Sequence, residues 1–530
     1  MAIRVTGLNS GMDTDAMVKE LVSAYDTKTK QLEKQKTKME WTQEAWKSIN
    51  TKIYSFYTNK LSNLRFSSAY VKKSASVSDN NKAKVSASSE AVAGTQTLKI
   101  KELAQTAYLT GSEIKTKDDG EVNLKTTMAD LGLEDFSIKV NLKGKDSVVV
   151  DFAADSKVSD VIAKLKDAGV NASFDEKNQR FFISGKESGE DNNFTLDIVK
   201  REAVKVTDPE TGEEKEEMQE VAMTDEQKAS LSRTVKDALG IRTKAEGGEA
   251  SMIQGIDAEI ELNGATFKSN TNNFTINGLN ITAQSKTADG ETLTITTNVD
   301  SQGIYDTIKD FIKEYNKLVN EIDKLFNADQ AKNMDPLTSE EKDAMSDDEV
   351  EKWETKIKDS LLRRDATLSS VGSALKNAMN ANFTIGGKTY NLASFGISTG
   401  SYFTSADNEK NAFHISGDKD DTTTSSNADK LLAAINSNPD AVAEFFSKLS
   451  KGVYDALDKK MKSTSMSSAY TVYNDKQIAK DLTAQESKIK SWKDKVADIE
   501  DRYYKQFAAM EKAMASLQSQ QTSLAQLLGQ

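Results

Sequence analysis

The single histidine, His414, and the absence of cysteine decide much of the chemistry that this 530-residue chain can attempt. Without thiols there is no disulfide, no cysteine nucleophile and no cysteine-type zinc site. A Ser-His-Asp triad would have to run through His414. Its neighbours, Ala412-Phe413-His414-Ile415-Ser416, alternate as a short strand, which reads as a structural histidine. Gly386-Gly387-Lys388-Thr389 ends like a phosphate-binding loop, but that motif's first glycine falls on Asn382, and the flanking Ile385 and Tyr390 make the segment a hairpin turn. Asp418, Asp420, Thr422 and Asp429 have a loose calcium-loop spacing. Thr423 stands where that loop needs glycine and Asp429 where it needs glutamate, so a solvated polar loop is expected. The chain has 82 acidic residues, yet no pair sits in an apolar setting that would hold one carboxyl protonated and leave the other ionised. The residues ask for no catalysis, no cofactor and no metal, and the chain reads as a non-enzyme.

What the residues do specify is periodicity, strongest at the two ends. Asp13 is placed to cap a helix, and Asp15 sits in its first turn. Met17, Leu21, Tyr25, Leu32 and Met39 follow at helical spacing, and Trp46, Ile49, Ile53 and Phe56 recur at steps of three and four. The C-terminus mirrors this with Ile489, Trp492, Val496, Ile499, Tyr503, Phe507, Met510, Met514, Leu517, Leu524 and Leu528. The second consecutive step of four, from Tyr503 to Phe507, is a stutter, and Gln521 weakens the seam near its end. A helix of about 45 residues reaches roughly 65–70 Å, which makes a leg and not a globular core. Such a helix cannot bury its stripe alone; it must pair with the other terminus or with another copy. The contacts are expected at Val18, Leu21, Val22, Met510, Leu517, Leu524 and Leu528. Lys28, Lys30, Lys34, Lys36 and Lys38 crowd the first helix, as a solvated face or as the docking face of a partner.

Between the ends the period changes. Leu98 and Ile100, then Ile138, Val140 and Leu142, alternate with polar residues, and Val148 to Phe152 is a further apolar run. Val158, Val161, Ile162 and Leu165 form a short amphipathic helix ending near Gly169, before strand-like stretches at 170–174 and 180–184. Residues 205–227, charged and containing Pro209, read as a linker. Ile256, Ala258, Ile260 and Leu262 lead into Asn263-Gly264, and Phe274 and Ile276 into Asn277-Gly278, two hairpin turn signals. From Ile304 to Phe326 the period is helical again. A second helical region is expected over 347–379, short strands over 383–390, and further helices at 429–435 and from 442. The fold class is multidomain α+β.

Composition bounds the partners. A formal net charge of -12 disfavours nucleic acid. No apolar run is long enough to cross a bilayer, and the first residues lack the apolar core of a cleavable secretory signal. The seam on the terminal helices is too narrow for a membrane-surface helix, so no membrane insertion is expected.

These residues resemble the flagellar cap, or hook-associated protein 2, family. The resemblance is carried by Gly7-Leu8-Asn9-Ser10-Gly11-Met12-Asp13-Thr14-Asp15, by 94–100 with Leu103-Ala104-Gln105, and by the hairpins of 258–283. Phe311 through Tyr315-Asn316 to Leu325, Leu362 with 365–368, Phe395-Gly396-Ile397-Ser398, and Asn438-Pro439-Asp440-Ala441-Val442 with Phe445-Phe446 also carry it. So does the unit 136–184, which is similar to an insert of flagellins and caps. The acidic stretch 208–228 has no counterpart.

The resemblance implies a terminal coiled-coil leg from 1–45 with 486–530 and a helix-rich body with short strands from 46–80 with 300–485. It further implies a β-rich inner head domain from 81–111 with 250–299 and an α+β outer head domain from 112–249. It implies a filament cap that promotes flagellin folding and insertion and prevents flagellin loss. The partners would be further copies in an annular homo-oligomer of about four to six, flagellin, hook-filament junction proteins, and a cytoplasmic export chaperone at the C-terminal helix. Export would run through the flagellar type III channel to the filament tip, which fits a chain with no cysteine and 3 prolines that must travel unfolded. The alternatives are another axial protein, such as a flagellin or junction protein, and a surface adhesin that binds glycan or mucin.

Overall fold

The computed structural model describes residues 11–207, 214–400 and 409–528. They divide into two compact units, Lys73–Asp300 and a second built from Met1–Lys72 with Ser301–Gln530.

The Lys73–Asp300 unit holds two cores. In the first, a five-stranded antiparallel sheet runs in the order Lys73–Val77, Leu293–Val299, Gly94–Glu102, Ala258–Leu262, Ala265–Ser269. A three-stranded sheet, Asn273–Ile276, Leu279–Ala283 and Ala83–Ala87, shares that core. Alternation sets the register: Ile260 lies opposite Ile100, and Leu262 and Leu293 both oppose Leu98, so one face buries its aliphatic side chains. Both turn signals hold. Asn263 and Gly264 have φ of 52° and 85°, and Asn277 and Gly278 have 47° and 80°, the left-handed pair that a tight two-residue hairpin demands.

The second core lies between a four-stranded sheet (Ser251–Ile253, Thr106–Thr110, Arg180–Ser188, Val170–Asp175) and a three-stranded one (Val148–Phe152, Phe136–Leu142, Phe194–Val199). The expected amphipathic helix is Val158–Asp167, and it buries Val158, Val161 and Leu165. The linker expected over 205–227 is corrected. Arg201–Thr207 and Glu214–Glu220 pair as an antiparallel ribbon, followed by a helix, Asp225–Ala238; residues 208–213, including Pro209, lie outside the described residues. Opposite charges face each other across the ribbon, Arg201 with Glu220 and Lys205 with Glu216, which favours pairing without any apolar alternation. Thr224 and Gln227 cap the helix reciprocally, and Val235 and Leu239 tie it to the core.

The other unit is mostly helical. Asp13 Oδ1 accepts from the Ala16 amide at 2.9 Å and starts the helix Thr14–Ser55, which passes through a π-helical turn, Phe56–Leu61, into Ser62–Leu64. Ser301–Asn327 buries Ile304, Ile308, Phe311, Ile312, Tyr315, Leu318, Val319 and Ile322. Ala366–Met379, Lys430–Ser437 and Pro439–Lys460 complete this body, with Phe445 and Phe446 fully buried. Tyr70, also fully buried, shares a 2.7 Å hydrogen bond with the hydroxyl of Ser450. The helical region expected over 347–379 is two helices, Asp347–Asp359 and Ala366–Met379. Arg364 adopts a left-handed φ of 57°, and Asp365 accepts from the amides of Thr367 and Leu368, so the second helix begins anew. The last helix is Asp475–Leu528.

Candidate functional site: the terminal helix pair

The stripe on the N-terminal helix is covered by the last helix of the same chain. Trp492 Nε1–H donates to the Tyr25 carbonyl at 3.1 Å, and Gln485 Nε2–H donates to the Leu32 carbonyl at 2.9 Å. Trp46 stacks on Tyr473, with ring centroids 5.3 Å apart. Partner numbers fall as the first helix's numbers rise, so the two run antiparallel. Val18, Val22, Val496 and Ile499 are buried together, with Tyr25, Trp492, Tyr503, Tyr504 and Phe507 packed around them. Gln485 is itself buried, and a satisfied polar side chain at one seam position fixes the register of the pair. At the rim Lys493 meets Glu33 at 2.6 Å and Lys36 meets Glu486 at 3.2 Å. The carboxylates of Glu486 and Glu40 hold the Lys36 ammonium above the usual lysine range.

The expected contact residues therefore separate. Val18 and Val22 pack inside the pair, while Leu21 on the same helix is 43% exposed. Beyond Phe507 the last helix has no buried side chain among the described residues, and Met510, Leu517 and Leu524 stand exposed there. Leu528 ends the helix, and its side chain lies outside the described residues. Leu517 and Leu524 lie seven apart, on one face of the helix.

Sequence reasoning missed the acidic segment that meets the lysine-rich stretch of the first helix. Lys30 Nζ lies 2.5 Å from Glu340 and Lys34 Nζ 2.6 Å from Glu341. Its signal was a charge block of opposite sign over 339–351, legible only if the two blocks are compared.

The polar constellations considered first have local partners. Lys309 Nζ sits 2.6 Å from both Asp418 Oδ1 and Asp420 Oδ2. Burial works against that ammonium's charge, but the two carboxylates outweigh it and raise its pKa. His414, in the strand Phe413–Ile415, bonds through Nδ1 to Asp421 Oδ2 at 2.6 Å. Gly386 and Gly387, at φ of 55° and 79°, turn the hairpin between Phe383–Ile385 and Lys388–Tyr390. Among the described residues no helix is long and apolar enough to cross a membrane.

The family model for the flagellar hook-associated protein 2 C-terminus matches residues 255–519, and that for its N-terminus matches 10–107. The chain belongs to the flagellar hook-associated protein 2 family. The two matches take in the first helix, the last helix as far as residue 519 and the first strand core, and leave out the 108–254 stretch that holds most of the second core. The flagellar hook-associated protein 2 of Halalkalibacterium halodurans is 23% identical over 99% of each chain. The A-type flagellar hook-associated protein 2 of Pseudomonas aeruginosa is 25% identical over 59% of this chain and 62% of its own. The crystal structure of the flagellar cap protein FliD D1-D2-D3 domains from Escherichia coli is 18% identical, with a TM-score of 0.49, covering 85% of this chain and 99% of that one.

Proposed function

We propose that this chain caps a bacterial flagellar filament. Membership of the hook-associated protein 2 family carries that function, and it is the family match at both ends of the chain that carries the reading. The protein acts at the filament tip, meets further copies of itself and flagellin, and does its work by steric guidance. Flagellin leaving the channel is retained under the cap, folds there and is inserted.

The finer parts of the reading are these. The terminal helices form a leg, the helical unit a body, and the strand-rich unit a head. Several copies, about four to six, form the annular cap. The end of the last helix, with the exposed Met510, Leu517 and Leu524 and with Leu528, meets the filament tip or the junction proteins after assembly and an export chaperone before it. Passage is through the flagellum's own type III channel. Exposed leucines on an otherwise polar helix support a contact that is made and remade, because each contributes little alone.

The test is a deletion strain in which filament length and flagellin in the medium are scored with and without the restored gene. Short or absent filaments with flagellin lost to the medium, reversed by the gene, are expected. Normal filaments on the deletion strain would overturn the reading.

A further inference from the structure

The short helix Ser339–Asp343 buries no side chain. It opens an arm that continues through Asp347–Asp359, where Val350, Trp353, Glu354 and Ile357 make a narrow inward stripe and only Ile357 is fully covered. Apolar packing thus holds the far end of the arm, and beyond the buried Pro336 the short helix at its near end is left to charge. At that end Lys30 and Lys34 of the N-terminal helix reach Glu340 and Glu341, while at the seated far end Lys358 lies 4.6 Å over the ring of Trp41, about two turns beyond Lys34 on the same helix.

The arm is stiff within itself. Thr338 and Glu341 cap the first helix, Ser346 and Glu349 cap the second, Lys342 and Lys358 both pair with Glu354, and Trp353 Nε1–H donates to the Asp335 carbonyl at 3.0 Å. Beneath it, between Asp347–Asp359 and the end of Ser301–Asn327, is a cleft of about 800 Å³ lined by charged side chains, among them Glu321, Lys324, Asp348 and Lys352. A rigid arm seated on one apolar point, spanning a wet cleft and closed at its tip by exposed ion pairs has the build of a strap.

We infer that residues 338–359 are a charge-operated strap, which holds the N-terminal helix to the body and keeps Lys30 and Lys34 paired until it lifts. Opening breaks the two ion pairs and leaves the pairing of the first and last helices intact, because that pairing uses Val18, Val22, Tyr25 and Leu32 with residues 485–507. Lifted, the strap exposes a basic helical face to an acidic partner; closed, it occupies that face with this chain's own glutamates. The inference stands on geometry within one unit and does not depend on the capping reading.

Amide hydrogen exchange on the purified full-length chain tests it, in about 20 mM and about 500 mM salt, between which the screening length falls from roughly 20 Å to roughly 4 Å. Peptides covering 337–346 are expected to exchange about threefold faster or more in high salt, as exposed pairs should. Peptides of Ser301–Asn327 should not change. Glu340→Lys with Glu341→Lys should give the fast rate at both salt concentrations. Adding Lys30→Glu and Lys34→Glu should restore the slow rate at low salt. Salt-independent exchange of 337–346 in the unmodified chain overturns the strap. So does a charge-reversed arm as protected as the original while the Ser301–Asn327 peptides report an intact body.

Discussion

Replacing Leu517 and Leu524 together by alanine separates what the last helix does for the fold from what it does for a partner. The two side chains are 63% and 59% exposed in the isolated chain. Each substitution removes three carbons at about 0.8 kcal/mol per carbon on full transfer, and roughly three-fifths of that surface is still available to bury. The loss on partner binding is then about 1.5 kcal/mol per site and about 3 kcal/mol for the pair, roughly a hundredfold in affinity. Stability of the chain itself should move by no more than about 0.5 kcal/mol, since the sites are exposed and alanine is a better helix former than leucine. The assay is paired: thermal unfolding followed by circular dichroism on the purified variant, and filament length with flagellin in the medium for a deletion strain carrying it. An unchanged melting curve with shortened filaments and leaked flagellin is expected. Full-length filaments at ordinary protein levels would refute the assignment of this face to a partner, and a large fall in melting temperature would show that these leucines serve the fold instead.

Two further outcomes follow from local geometry. Gly264 and Gly278 both have positive φ, but an added Cβ meets nothing at Gly264 and would lie 2.5 Å from the Ala91 amide nitrogen at Gly278. Gly264→Ala should cost about 1 kcal/mol for its backbone conformation, and Gly278→Ala clearly more, as urea unfolding would measure; equal costs would contradict the close approach. Burial pushes the Glu246 carboxyl up, but the Lys236 ammonium and the Thr243 amide outweigh it and hold it below the usual range. A depressed carboxyl contributes stability that is complete above the unfolded value of about 4.3 and is lost as pH falls through the lower folded one. The stability gap between the original chain and Glu246→Gln should therefore be constant near neutrality and close in acid, in melting curves taken from pH 7 down to about pH 3.

Local signals were legible wherever one residue type has one physical use. Asp13 caps its helix, Asn263-Gly264 and Asn277-Gly278 turn their hairpins, and the alternation around Ile100 and Ile260 faces one core. The terminal seam was legible as a seam, but not where it stops being covered, because nothing in the spacing of Tyr503, Phe507 and Met510 says that the apolar cluster ends at Phe507. Strand pairing across 200 residues, as between Lys73–Val77 and Leu293–Val299, leaves no local trace either. The ribbon at 201–220 escaped notice because its sequence lacks period-two hydrophobicity, the signal that reveals a strand, and the described side chains at 202–205 and 216–220 are exposed on both faces. The acidic strap was hidden for the opposite reason. Blocks of like charge are usually solvated surface, and only the fold brings Glu340 and Glu341 to Lys30 and Lys34.

The antiparallel pairing of the first helix with the last has a consequence for how the chain is made. Tyr25 meets Trp492 across 467 intervening steps of sequence. At about 5–20 residues per second a ribosome needs roughly half a minute to a minute and a half to cover that distance. Throughout that time Val18, Val22 and Tyr25 are in the cell without their cover, while Lys73–Asp300 emerges with both halves of every strand pair it requires. The strand-rich unit can thus be complete before the helical unit closes. The first helix to be synthesised is the last to be buried, and its bare apolar stripe is what a holding factor in the cytoplasm would find on the nascent chain.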